Sequence, residues 1–404
     1  MNKSTGQPES LKVANRARVF DILKSERVMS RPKLAKAAGL SRATIAILAD
    51  ELLDLGLVEE VGLGASTGGR PPVMLKFRPG AAYALGAHMY DSTWRIVITD
   101  LDARIVQRLD MHVADNTPDA AVRALRAGVL EISARTDQAL ILPAIGLGTP
   151  GLVDMREGII KIAADTGWYD VPFRDMVKEK LGLRAIVANR SKVGALAEYW
   201  HGVRRGIGDL IYISIGTGIA AGIIHHGRLY VGANSSAGEL GHLTVLPDGP
   251  LCPCGNRGCL QQLASGPAIA NLARRRLREG DASNLRAKFG THPELITAID
   301  VFEAAKQTDS PAQEVVEEVA SYLGIAIANL VNLFNPELIV LGGPVGEAAG
   351  VLLPPLNQVV QRRAMAYPLS AVEITTSSLG ADAGAIGASV LVLQQANVLF
   401  FRES

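Results

Sequence analysis

Apolar residues in the first eighty positions recur at helical spacing, then switch to short alternating runs. In KVANRARVFDILKS, residues 12–25, Val13, Val19, Phe20, Ile22 and Leu23 fall at roughly helical spacing. The next run is MSRPKLAKAAGLSRATIAILADELLDLGLV. Ser30 is a natural N-cap there, and Pro32 suits a first helical turn. Leu34 and Ala38 face inward and Gly39 breaks the helix; Ser41 then caps a second helix carrying Ile45, Leu48, Leu52 and Leu53. In LVEEVGLGASTGGRPPVMLKFRP, two short strands flank a Gly/Ser/Thr loop. Two short helices, a small-residue turn and a hairpin predict a winged helix-turn-helix over residues 1–80.

From residue 81 the texture changes. AYALGAHMY and WRIVITDLDARIV predict a strand hairpin, and PDAAVRALRAGVLEISART a helix. ILPAIGLGTPGLVD reads as a strand entering a glycine turn, LRAIVANRS as a strand and KVGALAEYWHG as a helix. DLIYISIGTGIAAGIIHHGRLY reads as a second hairpin. In SPAQEVVEEVASYLGIAIANLVNLFNPELIVLGGPV, a long helix, an Asn-Pro break and a buried strand follow in turn. Strand and helix alternating behind hairpins argues α/β domains around mixed sheets. The hairpins near 82 and 209 predict a duplicated lobe with a cleft between the copies.

Length and charge sharpen this. A chain of 404 residues suggests two to three domains, and 48% hydrophobic with 20% charged residues describes a globular protein. The start, MNKSTGQPES, has no apolar core of a secretory signal, and LGIAIANLVNLF is too short to span a bilayer. No membrane role is expected, and unpaired thiols place the protein in the cytoplasm. Net charge is only +1, but residues 1–49 hold ten Lys/Arg against three acids, a local +7. A basic head on an acidic body is the footprint of a nucleic-acid-binding module, here for a double-stranded DNA operator. Arg31 and the start of the second helix, Ser41, Arg42 and Thr44, are the candidate DNA contacts. Arg70, at the wing tip GGRPP, is placed to enter a narrow minor groove. The acidic run DELLDLGLVEE should face away from DNA.

All three cysteines lie in LCPCGNRGCL, residues 251–260. An odd number and a two-residue step from Cys252 to Cys254 argue against disulfides. A closed zinc site needs four N or S ligands, and His242, ten residues upstream, completes a Cys3His set with Cys252, Cys254 and Cys259. Gly255 and Gly258 let the backbone turn tightly around a structural Zn2+. The plain alternative is three free thiols in a loop.

Taken together, the run AIGLGTPGLVD…GW…VANRSKVGALAE…SIGTGIAAGI…AGELGH…CPCGNRGCL…ASG…NPELIVLGG resembles the ROK family of sugar kinases and transcriptional regulators, over about residues 81–393. The preceding winged helix is similar to the family's regulator branch. The resemblance implies a two-lobed actin/hexokinase-like body over 81–395, a C-terminal tail over 396–404, and zinc at the four residues just named. In family kinases the base is the Asp of an Asn-Asp pair; here Asn189 is followed by Arg190, a permanently protonated group. The first phosphate motif, Asp-x-Gly-Gly-Thr-Lys in kinases, matches His88, Tyr90, Asp91, Ser92 and Thr93, with both glycines lost. Gly216-Thr217-Gly218 and Gly342-Gly343 survive, and read as turn glycines more readily than as a nucleotide site. The sugar pocket is implied at Gly151, Asn189, Glu239 and His242, with Asp165 and Gln261 at positions where relatives differ and Arg190 on its wall. His242 would then sit in both the zinc shell and the pocket.

The expectation is a catalytically inactive, sugar-responsive DNA-binding regulator, a repressor of carbohydrate uptake or metabolism genes. It would act as a homodimer or dimer of dimers with a sugar or sugar-phosphate effector. Its rivals are an ATP-dependent sugar kinase with an accessory head, and a sugar-independent regulator that reads a protein partner.

Overall fold

The computed structural model describes residues 7–64, 71–136, 140–202, 204, 207–279 and 283–401. The chain opens with α1 (Gln7–Glu26), β1 (Val28–Ser30), α2 (Arg31–Ala38), α3 (Arg42–Asp54), β2 (Val58–Leu63) and β3 (Val73–Phe77). The three strands form one antiparallel sheet in the order β1-β3-β2. Ser41 caps α3 as its spacing predicts, its Oγ accepting from the Thr44 amide at 3.0 Å. Ser30 stands at the N-cap of α2 but makes no side-chain cap; it is committed instead to β1, opposite Met74. Gly39 closes α2 at φ +63°, a left-handed conformation suited to glycine.

The body holds two five-stranded sheets of the same topology. The first is built from β4 (Tyr83–Tyr90), β5 (Thr93–Asp100), β6 (Ile105–His112), β7 (Ile141–Thr149) and, after the small β8 (Leu152–Asp154), β9 (Ile159–Ala163) and β10 (Trp168–Val171), from β11 (Arg184–Asn189). The second uses β12 (Leu210–Ile215), β13 (Ile219–His225), β14 (Arg228–Tyr230), β15 (Leu338–Gly342) and β16 (Glu373–Thr376). Their orders are β11-β7-β4-β5-β6 and β16-β15-β12-β13-β14, the same pattern twice. Each expected hairpin therefore carries a third antiparallel strand.

Helices α4 (Pro118–Ala134), α5 (Phe173–Leu181), α6 (Arg190–His201), α7 (Gly266–Glu279) and α8 (Ser310–Phe334) cover these sheets, with α9 (Ala383–Leu393) and α10 (Ala396–Phe401) ending the described chain. Every residue of α9 is buried. It lies directly on the first sheet because that sheet presents bare backbone: a Cβ on Gly86 would meet the Ala385 carbonyl oxygen at 2.3 Å, and one on Gly146 the Ala388 oxygen at 1.8 Å. Gly146→Ala is expected to destabilise by roughly 3 kcal/mol or to abolish soluble expression, checked by denaturant unfolding, because backbone cannot step aside as a side chain can.

The head is packed onto the body. One apolar cluster runs from Val19, Phe20 and Leu23 of α1 through Leu101 and Ala103 to Leu391 of α9. Phe20 meets the Phe77 ring at 5.7 Å and the Phe400 ring at 5.8 Å, so the segment expected as a tail is a helix seated on α1. Arg27 holds both carboxylate oxygens of Asp102 at 2.8 Å. The Asp102 carbonyl is hydrogen-bonded to His201 Nε2 at 2.7 Å, and the Lys24 ammonium lies 4.5 Å above the Trp200 ring. Both Trp200 and His201 belong to the last turn of α6. Among the described residues, no helix is long and apolar enough to cross a membrane.

Candidate functional site

In the first sheet β7 and β11 run out side by side in parallel, with Thr149 opposite Asn189. The chain leaves β7 through Gly151, at φ +81°, where a Cβ would collide with the Ile162 carbonyl oxygen at 2.2 Å. Asn189 Nδ2 donates to the Gly151 carbonyl at 2.5 Å, while its Oδ1 accepts from the Ser191 amide at 2.8 Å and caps α6. Asn189 is thus the knot that ties the glycine turn to the helix start. Arg190, the next residue, pairs with Asp165 at 2.8 Å, and both remain about one-third exposed, at 28% and 35%. Gly151, Asp165, Asn189 and Arg190 therefore form one connected group.

A second group faces it from the other lobe, and Lys192 joins them. The buried Lys192 ammonium donates to the Ala237 carbonyl at 3.1 Å and lies near Glu239. Burial pulls the Lys192 pKa down while Glu239 opposes it; burial pushes the Glu239 carboxyl up against the pull of Lys192 and His242. Lys192 escapes sequence reasoning because a lysine within SKVGALAE looks like an exposed helical residue. Its spacing three residues after the Asn189 cap is the one available signal. Ser191 Oγ reaches the Ala221 carbonyl on β13 at 3.1 Å, and the Met155 amide donates to Ser235 Oγ at 3.2 Å, so the lobes touch on both sides of the site.

The cysteine loop lies beside Glu239. His242, Cys252, Cys254 and Cys259 present ligand atoms all within 4.8 Å of one another. Cys252 Sγ is 3.7 Å from His242 Nδ1, and Cys254 Sγ is 3.7 Å from Cys259 Sγ. The edge of a tetrahedron of sulfurs ~2.3 Å from a central ion is ~3.8 Å. These separations suit four ligands around one metal ion and are far too long for a disulfide. Burial raises the Cys252 thiol, but hydrogen bonds from the Cys254 backbone and thiol, Cys259 and Gln261 outweigh it and draw the pKa to about 6. Gln261 Nε2 points at Cys252 Sγ from 3.4 Å, and Gln262 Nε2 from 3.8 Å, donors of the kind that steady a metal-bound thiolate. Gln261 is thus turned toward the cysteine cluster, with its Oε1 beside Gly218 and Gly241.

The glycine patches explain themselves structurally. Gly342 lies against the Tyr212 ring, which a Cβ would strike at 2.2 Å, and Gly343 turns at φ +78°. The Gly216 carbonyl accepts from the Gly266 amide at 2.8 Å, fastening the turn to α7. The β4–β5 connection is a tight turn through Asp91 at φ +45° and Ser92. Just before it, half-buried His88 is wedged between Gly148 and Gly384, with its Nδ1 sealed from solvent and without a hydrogen-bond partner.

On the head, charge is distributed less simply than the count implies. Lys12 and Arg16 pair with Glu51 at 2.8 and 2.6 Å, which absorbs part of the acidic helix end. Arg31 reaches Asp50 at 2.7 Å and Glu60 at 3.2 Å, clamping α2 to α3 and the wing. Ser41 and Arg42 are exposed at the start of α3; Thr44 is half-buried with its hydroxyl 2.8 Å from Ser41 Oγ. Lys33, Lys36 and Arg42 are exposed cations with no ion-pair partner among the described residues. The two lysines extend the candidate basic surface onto α2. Arg70 lies outside the described residues.

Residues 89–395 match a family model described as ROK family. A glucokinase of Halalkalibacterium halodurans is 42% identical over 257 residues, covering 63% of this chain and 78% of that protein. A xylose repressor of Caldicellulosiruptor bescii is 30% identical over 392 residues, covering 96% of this chain and 97% of that one. A crystal structure described as a ROK family transcriptional regulator, homolog of E. coli MLC protein, superposes with a TM-score of 0.84 at 28% identity, over 97% of this chain and 98% of its own.

Proposed function

The chain belongs to the ROK family, and from that premise we propose that it is a sugar-responsive transcriptional repressor. Its relatives divide by architecture: the glucokinase covers only part of the chain, whereas the repressor aligns over nearly all of it, head included. The observation that carries the reading is α6. It begins at Asn189 and Arg190 in the candidate sugar site and ends at Trp200 and His201 against the head. One rigid element therefore touches both surfaces that a ligand-controlled DNA-binding protein must connect.

Residues 1–80 act as a winged helix-turn-helix, with α3 entering the major groove of an operator. Ser41 and Arg42 lead at its exposed end, and Thr44 works through its bond to Ser41. Lys33 and Lys36 reach phosphates. Arg31 contributes by shaping the head unless DNA displaces its carboxylates, and Arg70 remains the wing contact. Residues 81–395 form the sugar-binding body, where Gly151, Asp165, Asn189, Arg190, Glu239, His242 and Gln261 line the site. His242, Cys252, Cys254 and Cys259 would hold a structural zinc, which would fix the orientation of the His242 ring. Because Nδ1 faces Cys252, the other ring nitrogen is left for a sugar hydroxyl. A homodimer matches the two-fold symmetry of paired half-sites.

Operator titrations with and without a panel of pentoses, hexoses, their phosphates and their uronic acids test this; the expected result is a member that weakens binding at least fivefold, and no response to any of them overturns it. Arg42→Ala is expected to weaken operator binding roughly tenfold near 0.1 M salt and to flatten the salt dependence by about one phosphate, as measured by fluorescence anisotropy.

The glucokinase relative favours a second reading, an ATP-dependent sugar kinase carrying a head. Phosphoryl transfer to a sugar hydroxyl needs a proton acceptor, and the residue after Asn189 is a guanidinium already paired with Asp165. We expect no ADP release above background with any sugar; turnover abolished by Arg190→Ala would establish the kinase.

A further inference from the structure

Arg190 differs from the other cations near the sugar site in how weakly it is committed. Arg95 is locked by Asp110, Asp382 and the Tyr90 hydroxyl, and Lys192 is buried against the Ala237 carbonyl. Among the described residues Arg190 has only Asp165, through one 2.8 Å contact between two partly exposed side chains. A pair this open to solvent is only weakly stabilising, so exchanging it costs little. A guanidinium offers a planar fork of donors that matches a phosphate or carboxylate in two parallel hydrogen bonds. A second, independent feature points the same way. His88 is placed close enough to Arg190 and Arg95 to feel both charges, and its pKa is pushed down to about 3 by burial and then by those cations. It therefore stays neutral, and its sealed Nδ1 has no hydrogen-bond partner among the described residues. This corner holds two cations and an imidazole, and the Asp165 carboxylate paired with Arg190 is open enough to solvent to be exchanged.

We infer that the effector is an anionic sugar, a sugar phosphate or a sugar acid, and that Arg190 binds its anion in place of Asp165. Asp165 then acts as a placeholder that keeps the guanidinium occupied and correctly aimed in the empty site. The inference rests on the cleft reading and specifies the chemical class that the cleft prefers.

Calorimetric titration of the intact, zinc-loaded protein tests it with matched sets: a neutral sugar, its terminal phosphate and its uronic acid, with inorganic phosphate as control. At least one charged member of a set is expected to bind roughly 30-fold tighter than its neutral parent. Arg190→Gln is expected to erase that preference by weakening the charged member roughly 30-fold more than its neutral parent. Asp165→Asn, which removes the competitor for the guanidinium, is expected to tighten the charged ligand. Whichever of phosphate and uronic acid loses affinity in Arg190→Gln identifies the anion. A neutral sugar binding as tightly as its charged partners, or a preference that survives Arg190→Gln, overturns the inference and leaves the cleft reading standing. If no sugar binds at all, the cleft reading falls, and this one with it.

Discussion

Replacing Cys259 with Ser is expected to release one zinc per chain, lower the melting temperature by several degrees and weaken sugar binding roughly 100-fold. Cys259 is buried at the inner side of the four-ligand cluster, 3.7 Å from Cys254 Sγ. The loop around it has almost no regular structure to fall back on; two isolated bridges, Thr244 to Cys259 and Leu251 to Arg257, are its only strand-like pairings among the described residues. With the ion gone, His242 loses the partner that fixes its ring, and Gln261 loses the thiolate at 3.4 Å toward which its amide is turned. Outer-shell changes of this kind cost about 10–100-fold, and loss of a ligand lies at the upper end. A metal assay, a melting curve and a sugar titration on one preparation check the three effects. Full sugar affinity in a zinc-free protein would sink the link between metal and pocket. Chelation of the wild type should reproduce the phenotype, and re-addition of zinc should reverse it.

The combined change Trp200→Ala, His201→Ala is expected to disconnect the two surfaces while sparing each. Neither residue lies in the sugar site or on α3, so sugar affinity and sugar-free operator affinity should stay within about twofold of wild type. The effector-induced change in operator affinity should fall from at least fivefold to less than twofold, a loss of about 0.5 kcal/mol or more of coupling. The physical basis lies at the end of α6, where the Lys24 ammonium sits above Trp200 and His201 is hydrogen-bonded to the Asp102 carbonyl, with Arg27 gripping the Asp102 carboxylate. Undiminished induction would show that the signal travels through α10 and Phe400 instead.

The patterns legible in the sequence are those with a local cause. Ser41, Gly39 and Pro32 mark helix ends because capping and φ preferences act within a few residues, and the Cys3His set is readable because its ligands are concentrated in one short stretch. The duplicated lobes also show, since each opens on a hairpin. The third strands, β6 and β14, are harder: IVQRLDMH merges with the preceding hairpin, and RLY is too short to carry a pattern. Helix α9 escapes entirely. AGAIGASVLVL is apolar on every side, and periodicity cannot distinguish a fully buried helix from a buried strand. Non-local pairing is equally silent. Nothing in the charge count reveals that Arg31 is held by Asp50 and Glu60, that Lys192 turns inward to Ala237, or that Asp165 meets Arg190 across 25 positions.

The placement of α9 has a consequence for how the chain is made. Gly146 waits for a carbonyl roughly 240 residues downstream, which at ribosomal speeds of about 5–20 residues per second is an interval on the order of 12–50 s. During that time the first sheet exposes an apolar face with no permanent cover, an opening for chaperones or for another nascent chain. Residues 396–401, which reach α1 through Phe400, emerge later still. The head, made before the body, can therefore meet Asp102 and Trp200 early but gains its contact with α10 last, so polypeptides caught mid-translation carry the proposed operator-binding surface before that contact forms.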